Sequence, residues 1–276
     1  MNSNNILLFG LSADMPHYGH IRWIATLKAA LPEHKIVVMP CGVNPLGKTS
    51  KNGDIIYPSN GFLRWQMLFE YYQEFDPEII VSQYEVAINT PSKTIDTLQY
   101  LLHTTIAEIQ TQRGFRLPTT NNSHKINNVS IAIGTDLIKQ LSNWHAWEDI
   151  LNDAKLIIMQ RAGYKLADIQ INDQKLKDRI IAGRKNGTIQ ELAGPQIAIS
   201  SRKLKNMLQN GASDAELQKY IPEKILTFIR SKRSEFSAEY YQNPSARDTF
   251  QKAMKIYKNA VSTFDNKRQR ELSAFI

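Results

Sequence analysis

Residues 6–20 have the sequence ILLFGLSADMPHYGH and decide the fold of this chain. The segment opens with four apolar residues, the pattern of a buried strand, and then changes to small and polar residues. A helical spacing of apolar residues follows from His20 to Leu31. The segment therefore predicts the turn between a first strand and a first helix. Open α/β sheets bind ligands at this end of their strands, so the turn is a candidate binding site.

The alternation of strand and helix continues to about residue 200. Short apolar runs predict strands, and longer segments of helical period predict the helices between them. We expect strands at 6–9, 36–39, 79–81, 129–133 and 156–159, and helices at 20–31, 63–72, 95–110 and 144–151. This order is typical of an α/β fold, a Rossmann-like parallel sheet with helices on both faces. Residues 113–127 and 165–195 look irregular and are expected to be surface loops or insertions.

A helical appendage is expected after Ser200, with helices at 201–209, 214–220 and 222–230. We divide the chain into an α/β core at 1–200, a helical part of the same domain at 201–231, and a basic helical extension at 232–276. One face of the extension carries apolar residues at intervals of three and four, namely Phe250, Met254, Tyr257, Val261 and Phe264. We expect this face to dock on the domain itself; the alternative is a homo-oligomer formed through this C-terminal helix.

Composition excludes several classes of protein. A chain of 276 residues can bury a full core without disulfides, and its one cysteine, Cys41, cannot form an intrachain bridge. The apolar content of 42% is that of an ordinary globular protein. No segment is typical of a signal peptide or of a membrane-spanning helix. We therefore expect a cytoplasmic protein with no membrane partner.

The net charge of +8 is concentrated near the C-terminus. Residues 1–201 carry 19 basic and 18 acidic side chains, whereas residues 202–276 carry 15 and 8. Such a surplus is compatible with an anionic partner, although a solvated helical face is its more common meaning. The basic segment contains no recognisable nucleic-acid module and its acidic residues are interspersed, so nucleic acid is not the expected partner.

The residues around the first turn favour a phosphate site. His17 and His20 flank Gly19 at the predicted start of a helix, where backbone N–H groups and the helix dipole attract anions. Glycine permits close approach, and the two imidazoles can donate hydrogen bonds. A zinc site would need further ligands that the sequence does not place. The pattern therefore predicts a nucleotide-phosphate site without a Walker lysine.

The segment His17-Tyr18-Gly19-His20 matches the motif of the HxGH nucleotidyltransferase superfamily. Further segments resemble, in the same order, motifs of the bacterial nicotinate mononucleotide adenylyltransferases. They are Asn44-Pro45-Leu46-Gly47-Lys48, Arg64 with Met67-Leu68, Glu85, Ser92-Lys93-Thr94-Ile95-Asp96-Thr97-Leu98, Gly134-Thr135-Asp136, Trp144-His145, Arg161-Ala162-Gly163-Tyr164 and Ile199-Ser200-Ser201-Arg202-Lys203-Leu204-Lys205. The resemblance spans roughly residues 6 to 230.

The resemblance implies adenylyl transfer from ATP to nicotinate mononucleotide, with Mg²⁺ accompanying ATP and no metal bound by protein ligands. The catalytic residues that it implies are His17, His20 and Lys205. ATP would be bound by Gly10, Leu11, Ser12, Gly19, Lys48, Gly134, Asp136, Arg161, Ser200, Ser201 and Arg202. The nicotinate nucleotide would be bound by Ser12, Thr94, Trp144 and His145.

Some positions depart from the family pattern. Lys205 replaces an arginine, Arg202 a threonine, Gly47 a histidine, Lys93 a tyrosine and Ala13 a phenylalanine. Lysine keeps the charge of arginine but loses the planar fork that grips phosphate. Both histidines, Gly19 and the serine pair remain, so the implied class of reaction is retained.

Structural roles are the alternative for several of these residues. Ser92 and Thr94 could cap the helix predicted at 95–110, Asp136 could cap the helix after its strand, and Trp144 could be a core aromatic. Alternative functions also stay open. The acceptor could be nicotinamide mononucleotide or phosphopantetheine, or the chain could be a catalytically weak nucleotide-binding regulator that uses its basic tail to contact a partner.

Overall fold

The computed structural model describes residues 5–42, 61–88, 92–104, 106, 109, 126, 128–160, 166–195 and 199–231. The described residues form one six-stranded sheet in which all neighbouring strands are parallel. Its strands are β1 (Asn5–Leu11), β2 (His34–Pro40), β3 (Ile80–Val81), β4 (Asn128–Gly134), β5 (Ala154–Gln160) and β6 (Ile189–Ala193). They lie in the order β3-β2-β1-β4-β5-β6.

Helices connect the strands and follow the last one. In the described part of the chain they are α1 (Tyr18–Ala30), α2 (Gly61–Phe75), α3 (Tyr84–Ile88), α4 (Thr94–Leu102), α5 (Thr135–Ile138), α6 (Trp147–Asp153), α7 (Gln174–Asn186), α8 (Ser201–Gln209), α9 (Asp214–Leu217) and α10 (Glu223–Ser231). Short 3₁₀ turns occupy Leu141–Asn143 and Leu166–Asp168. The helix expected at 144–151 begins at Trp147, because Ala146 just before it adopts a left-handed conformation.

Both faces of the sheet are covered, as the sequence predicts. Side chains alternate along a strand, and in β1 the buried Ile6 and Leu8 belong to one apolar cluster whereas Leu7 and Phe9 belong to another. The first cluster includes Leu98 of α4, and the second includes residues of α1 and α2. The prediction of an α/β sheet with helices on both faces is therefore confirmed.

The helices after the sheet pack beside α2. A third apolar cluster joins residues of α8, α9 and α10 to Leu63 and Met67 of α2 and to Met15 in the turn after β1. Lys224 at the start of α10 pairs with Glu74 near the end of α2 at 2.8 Å. The helical appendage thus lies against the turn that the sequence singles out.

The expectation of irregular structure at 165–195 is wrong. Helix α7 and strand β6 lie there. The Asp173 carboxylate accepts the Leu176 N–H at 2.9 Å and caps α7, and Gly187 ends the helix with φ of 79°. Most of the loop expected at 113–127 and the whole extension at 232–276 lie outside the described residues, so those expectations stay predictions.

In the part of the chain that the structure describes, every helix is too short or too polar to cross a membrane.

Candidate functional site

The candidate site lies at the carboxyl ends of the central strands. Strand β1 has β2 on one side and β4 on the other. Strands β2 and β3 are thus added on one side of β1, and strands β4 to β6 on the other. Parallel sheets open a crevice at such a switch point. The turn after β1, the start of α1 and Gly134 at the end of β4 all lie at this edge.

The two motif histidines lie together at the N-terminus of α1. His17 is the residue that precedes the helix, and His20 lies in its first turn. Their rings stack with centroids 3.8 Å apart and planes inclined by 19°. His17 is buried, with 4% of its surface exposed, and His20 is partly exposed. The pair therefore combines two imidazoles with the anion-attracting end of a 13-residue helix.

Gly19 makes room for this pair. A methyl group on Gly19 would lie 2.8 Å from two atoms of the His17 ring and 3.4 Å from a side-chain carbon of Ile199. The first distance is shorter than a normal van der Waals contact, so His17 would have to move. The glycine of the motif is thus required by the observed position of the His17 imidazole.

The turn after β1 is fastened to α8. Lys205 forms an ion pair with Asp14, whose side chain is mostly buried, and the Ser201 hydroxyl donates to the Met15 carbonyl at 3.1 Å. The backbone N–H of Tyr18 donates to the carbonyl of Tyr220 at 2.9 Å. The first two contacts hold α8 against the turn that leads into α1, and the third holds the segment between α9 and α10 against the start of α1.

Ser200 caps α8 by accepting the Lys203 N–H at 3.3 Å. A hydroxyl that accepts this bond still carries its own proton, which it can donate to a phosphate. The Ser201 hydroxyl donates its proton to the Met15 carbonyl, so it can still accept a hydrogen bond. Arg202 and Lys203 are exposed and line an open groove together with Ser200. The helix start thus presents hydroxyls, backbone N–H groups and cations.

Gly134 and Asp136 lie on the other side of α1. A methyl group on Gly134 would be 2.4 Å from Asp136 Oδ1 and 3.0 Å from Cη2 of Trp23, a residue of α1. Asp136 is partly exposed in the first turn of α5, and the residue before that helix is Gly134, which has no capping side chain. Asp136 therefore does not hold the N-cap position of that helix.

A buried arginine ties the turns after β1 and β2 together. Arg64 is 1% exposed and donates to the carbonyl of Ser12 at 2.5 Å and to that of Gly42 at 3.2 Å. Its guanidinium also contacts the thiol of Cys41 at 3.7 Å. Ser12 therefore contacts Arg64 through its backbone carbonyl, and Arg64 holds the turns after β1 and β2 in place beside each other.

Glu85 continues this network towards α4. Its carboxylate accepts hydrogen bonds from the hydroxyls of Ser92 at 2.8 Å and Thr97 at 2.7 Å, and from the backbone N–H of Gly42. Burial raises the pKa of the Glu85 carboxyl, against these donors and nearby Arg64, which lower it. Arg64 and Glu85 match family segments, but the sequence alone predicts no role for them. A signal for Arg64 was its position inside the apolar face of α2, where an arginine needs buried partners.

The predicted pyridine-binding residues lie farther along the same edge. Thr94 is the first residue of α4 and is partly exposed, and Lys93 before it is exposed and does not cap the helix. The helix follows Lys93 without a side-chain cap, and the Ser92 hydroxyl donates to Glu85, so the interpretation of Ser92 and Thr94 as a capping pair is wrong. Trp144 is partly buried against the apolar cluster on the α4 side of the sheet.

The remaining predicted site residues differ in how well they can be placed. His145 is exposed, Gly10 is exposed near the end of β1, and Leu11 is buried as its last residue. Lys48 and Arg161 lie outside the described residues, and their roles stay predictions. The described residues therefore bring together the histidine pair, Gly19, the serine pair and Lys205, with Gly134 and Asp136 close to α1.

Known proteins resemble this chain in sequence. A family model described as cytidylyltransferase-like matches residues 8–233. A protein of Escherichia coli O6:H1 named nicotinate-nucleotide adenylyltransferase is 28% identical over 229 residues, which cover 80% of this chain and 94% of that protein. A protein of Klebsiella pneumoniae named "Probable nicotinate-nucleotide adenylyltransferase" is 26% identical over 230 residues, covering 81% of this chain and 93% of that one.

A solved structure has a similar fold. It is that of Plasmodium falciparum nicotinic acid mononucleotide adenylyltransferase complexed with NaAD, with a TM-score of 0.50 and 16% identity. The match covers 84% of this chain and 98% of the other. At this level of identity the likeness shows a shared fold.

Proposed function

The chain belongs to the cytidylyltransferase-like family, and on that premise we propose that it transfers the adenylyl group of ATP to nicotinate mononucleotide. The products would be nicotinate adenine dinucleotide and pyrophosphate, a step in making NAD. The named activity of the Escherichia coli and Klebsiella pneumoniae relatives, each matched over at least 80% of this chain, supports the choice of acceptor.

One observation carries the proposal: the stacked His17 and His20 rings at the start of α1, next to the start of α8. Two helix N-termini and a lysine converge there. A nucleoside triphosphate carries several negative charges along one flexible chain, which suits such a site better than a single carboxylate would.

The chemistry needs no nucleophile from the protein. The phosphate of nicotinate mononucleotide is anionic near neutral pH and attacks the α-phosphorus of ATP. A new P–O bond forms there while the bond to the bridging oxygen of the β-phosphate breaks, and the electron pair leaves with pyrophosphate. Catalysis then rests on holding the two phosphates in line and stabilising charge on the leaving group.

The proposed roles follow from position. His17 and His20 would donate to the triphosphate, and Ser200 would donate its hydroxyl proton to the β- or γ-phosphate. Lys205 would supply positive charge from α8, in balance with Asp14. Asp136 would accept hydrogen bonds from the hydroxyls of the ATP ribose, because its carboxylate is partly exposed beside Gly134 at the carboxyl end of β4.

Magnesium is proposed as a companion of ATP. Among the described residues, no group of three or more His, Cys, Asp and Glu side chains could hold a metal ion. We propose that the ion is held mainly by phosphate oxygens and water, as Mg²⁺ often is. When bound, it neutralises part of the charge on the leaving pyrophosphate.

We also propose a preference for the acid over the amide form of the substrate. Thr94 at the first position of α4 offers a hydroxyl and a helix N-terminus to the pyridine carboxylate, and Trp144 offers an aromatic face. A site made of donors leaves the NH₂ of an amide badly paired, which disfavours nicotinamide mononucleotide.

The test is pyrophosphate release from ATP and Mg²⁺ with each acceptor in turn: nicotinate mononucleotide, nicotinamide mononucleotide and phosphopantetheine. We expect turnover to be highest with the nicotinate substrate. A higher kcat/KM for either of the other acceptors would refute the proposed acceptor. No turnover with any of them, from folded protein that binds ATP, would favour the regulator alternative.

A further inference from the structure

Trp23 lies on α1 three residues after His20, on the side of the helix that faces the sheet. Its indole packs on Phe9 of β1, with ring centroids 6.0 Å apart and planes inclined by 39°. Unlike the neighbouring Ile24, which is 1% exposed, Trp23 keeps part of its surface accessible. The indole is thus held in place by the core residue Phe9 and remains partly accessible.

Two glycines lie against the indole. Its Cη2 is 3.0 Å from the point where a Gly134 side chain would begin, and its Nε1 is 3.5 Å from the corresponding point on Gly194. Gly134 ends β4, and Gly194 directly follows β6. The indole therefore extends along the carboxyl ends of the strands between them, where open α/β sheets bind their ligands.

The indole lies next to the proposed ribose site. Asp136 Oδ1 and Trp23 Cη2 are each within 3.0 Å of one point, the position of a Gly134 Cβ. A ribose whose hydroxyls bind Asp136 carries its base one bond away from the sugar. The proposed function puts the triphosphate at the start of the same helix, so a base attached to this ribose can reach the Trp23 ring.

We propose that Trp23 forms a wall of the nucleobase pocket, and that packing of the purine ring on its indole makes this chain prefer ATP to a pyrimidine triphosphate. The inference rests on the proposed function for the position of the triphosphate and ribose. Indole offers a large apolar surface to a base, and a purine covers more of it than a pyrimidine does.

A binding experiment tests this without any acceptor. Tryptophan fluorescence of the full chain is titrated with ATP, and then with CTP, in the wild type and in the variants Trp23→Phe and Trp147→Phe. Trp147 is the matched control, because it is partly buried against the apolar cluster on the opposite face of the sheet. We expect ATP to quench the wild type and the control but not Trp23→Phe.

A second variant measures the contribution to affinity. Trp23→Leu keeps apolar packing on Phe9 but removes the aromatic surface. Fluorescence no longer reports binding once Trp23 is replaced, so its Kd for ATP is measured by calorimetry. We expect a rise of about 5- to 100-fold, the usual range for loss of one base-stacking aromatic, and a smaller ratio between the affinities for ATP and CTP.

Three results would overturn the inference: no quenching of the wild type by ATP, equal quenching in Trp23→Phe, or wild-type ATP affinity in a folded Trp23→Leu protein. If Trp23→Leu does not fold, the Trp23→Phe titration still decides. Failure of the proposed function gives a different pattern, namely ATP quenching that depends on Trp23 together with no turnover on nicotinate mononucleotide.

Discussion

At the scale of single residues, Gly19 permits the stacked arrangement of the histidines. For Gly19→Ala we expect turnover to fall by about 10- to 100-fold. The new methyl group would lie 2.8 Å from the His17 ring and would displace that imidazole from its position at the phosphate site. Alanine is the better helix former by up to about 1 kcal/mol, so the melting temperature should not fall in parallel. Steady-state kinetics and thermal melting together check this.

Two results would count against this role of Gly19. Wild-type turnover in Gly19→Ala would mean that the position of the His17 ring does not matter for the reaction. Parallel loss of turnover and melting temperature would mean that Gly19 is needed for folding rather than for the site.

Glu85 is a second residue whose environment has a measurable consequence. Burial raises the pKa of the Glu85 carboxyl in the folded state. At pH values between the ordinary and the raised pKa, the folded protein therefore keeps a proton that the unfolded chain has released. This contribution to stability is present below the ordinary pKa of glutamate and is lost as pH rises through the raised pKa. Glu85→Gln cannot titrate, so its melting temperature should rise relative to the wild type as pH increases across that window.

The measurement is a series of thermal melts of both proteins from about pH 4 to about pH 8. A constant difference between the two melting temperatures would show that Glu85 has the same pKa in both states. A difference that grows in favour of the wild type would show that the donors and Arg64 outweigh burial.

Sequence could predict some of these residues and not others. His17, Gly19 and His20 are neighbours in the chain at a strand-to-helix turn, so their convergence needs no knowledge of tertiary structure. Arg64 and Glu85 meet only because α2 and α3 pack on the same part of the sheet. The choice of Ser92 as a donor to Glu85 rather than a helix cap depends on that packing too.

At the scale of elements, the contact between α8 and the turn after β1 is the one on which the phosphate site depends. Lys205 on α8 and Asp14 in the turn form an ion pair. Lys205→Met should lower kcat/KM by about 10- to 1000-fold, since it removes a cation from the site and leaves Asp14 without this partner. Lys205→Arg keeps the charge and should retain most of the activity.

The matched control for this change is Lys219→Met, which removes an exposed lysine from the same appendage. It should have wild-type kinetics. If Lys205→Met and Lys219→Met are equally active, Lys205 serves neither phosphate binding nor the position of Asp14.

Elements with a strong apolar pattern could be predicted, and weakly patterned ones could not. Strands β1, β2, β4 and β5 are central and buried, so their apolar runs stand out. Helix α7 has only Leu176, Ile180 and Gly183 buried among many charged residues, and the edge strand β6 has one buried residue, Ile189. Both were missed because an element with so few buried positions resembles a loop.

At the scale of the whole molecule, the sheet order explains why distant segments share one site. With β1 between β2 and β4, the turn after β1 borders Cys41 and Gly42 on one side, and α1 borders Gly134 on the other. Helices α8 to α10 close the site from the side of α2. The fold class follows from the alternation of strands and helices, whereas this closure requires the tertiary packing.

We expect the basic extension at 232–276 to be dispensable for the reaction. Every residue proposed for the site precedes residue 232, and the family model ends at residue 233. A chain truncated after Arg233 should therefore keep the kcat and KM of the full chain. Light scattering of both forms tests whether 232–276 links two copies. Loss of turnover on truncation would mean that the extension contributes to the site.

The most direct test of the central claim follows the α-phosphate of ATP. ATP labelled at that phosphate is incubated with nicotinate mononucleotide, Mg²⁺ and either the wild type or His20→Ala, with His103→Ala as the control because His103 is an exposed histidine at the end of α4. We predict that the wild type and the control transfer the label to nicotinate adenine dinucleotide, and that His20→Ala does so at least about 100-fold more slowly. Label that stays in ATP or appears in AMP with the wild type, or equal transfer by His20→Ala, would contradict adenylyl transfer at the start of α1.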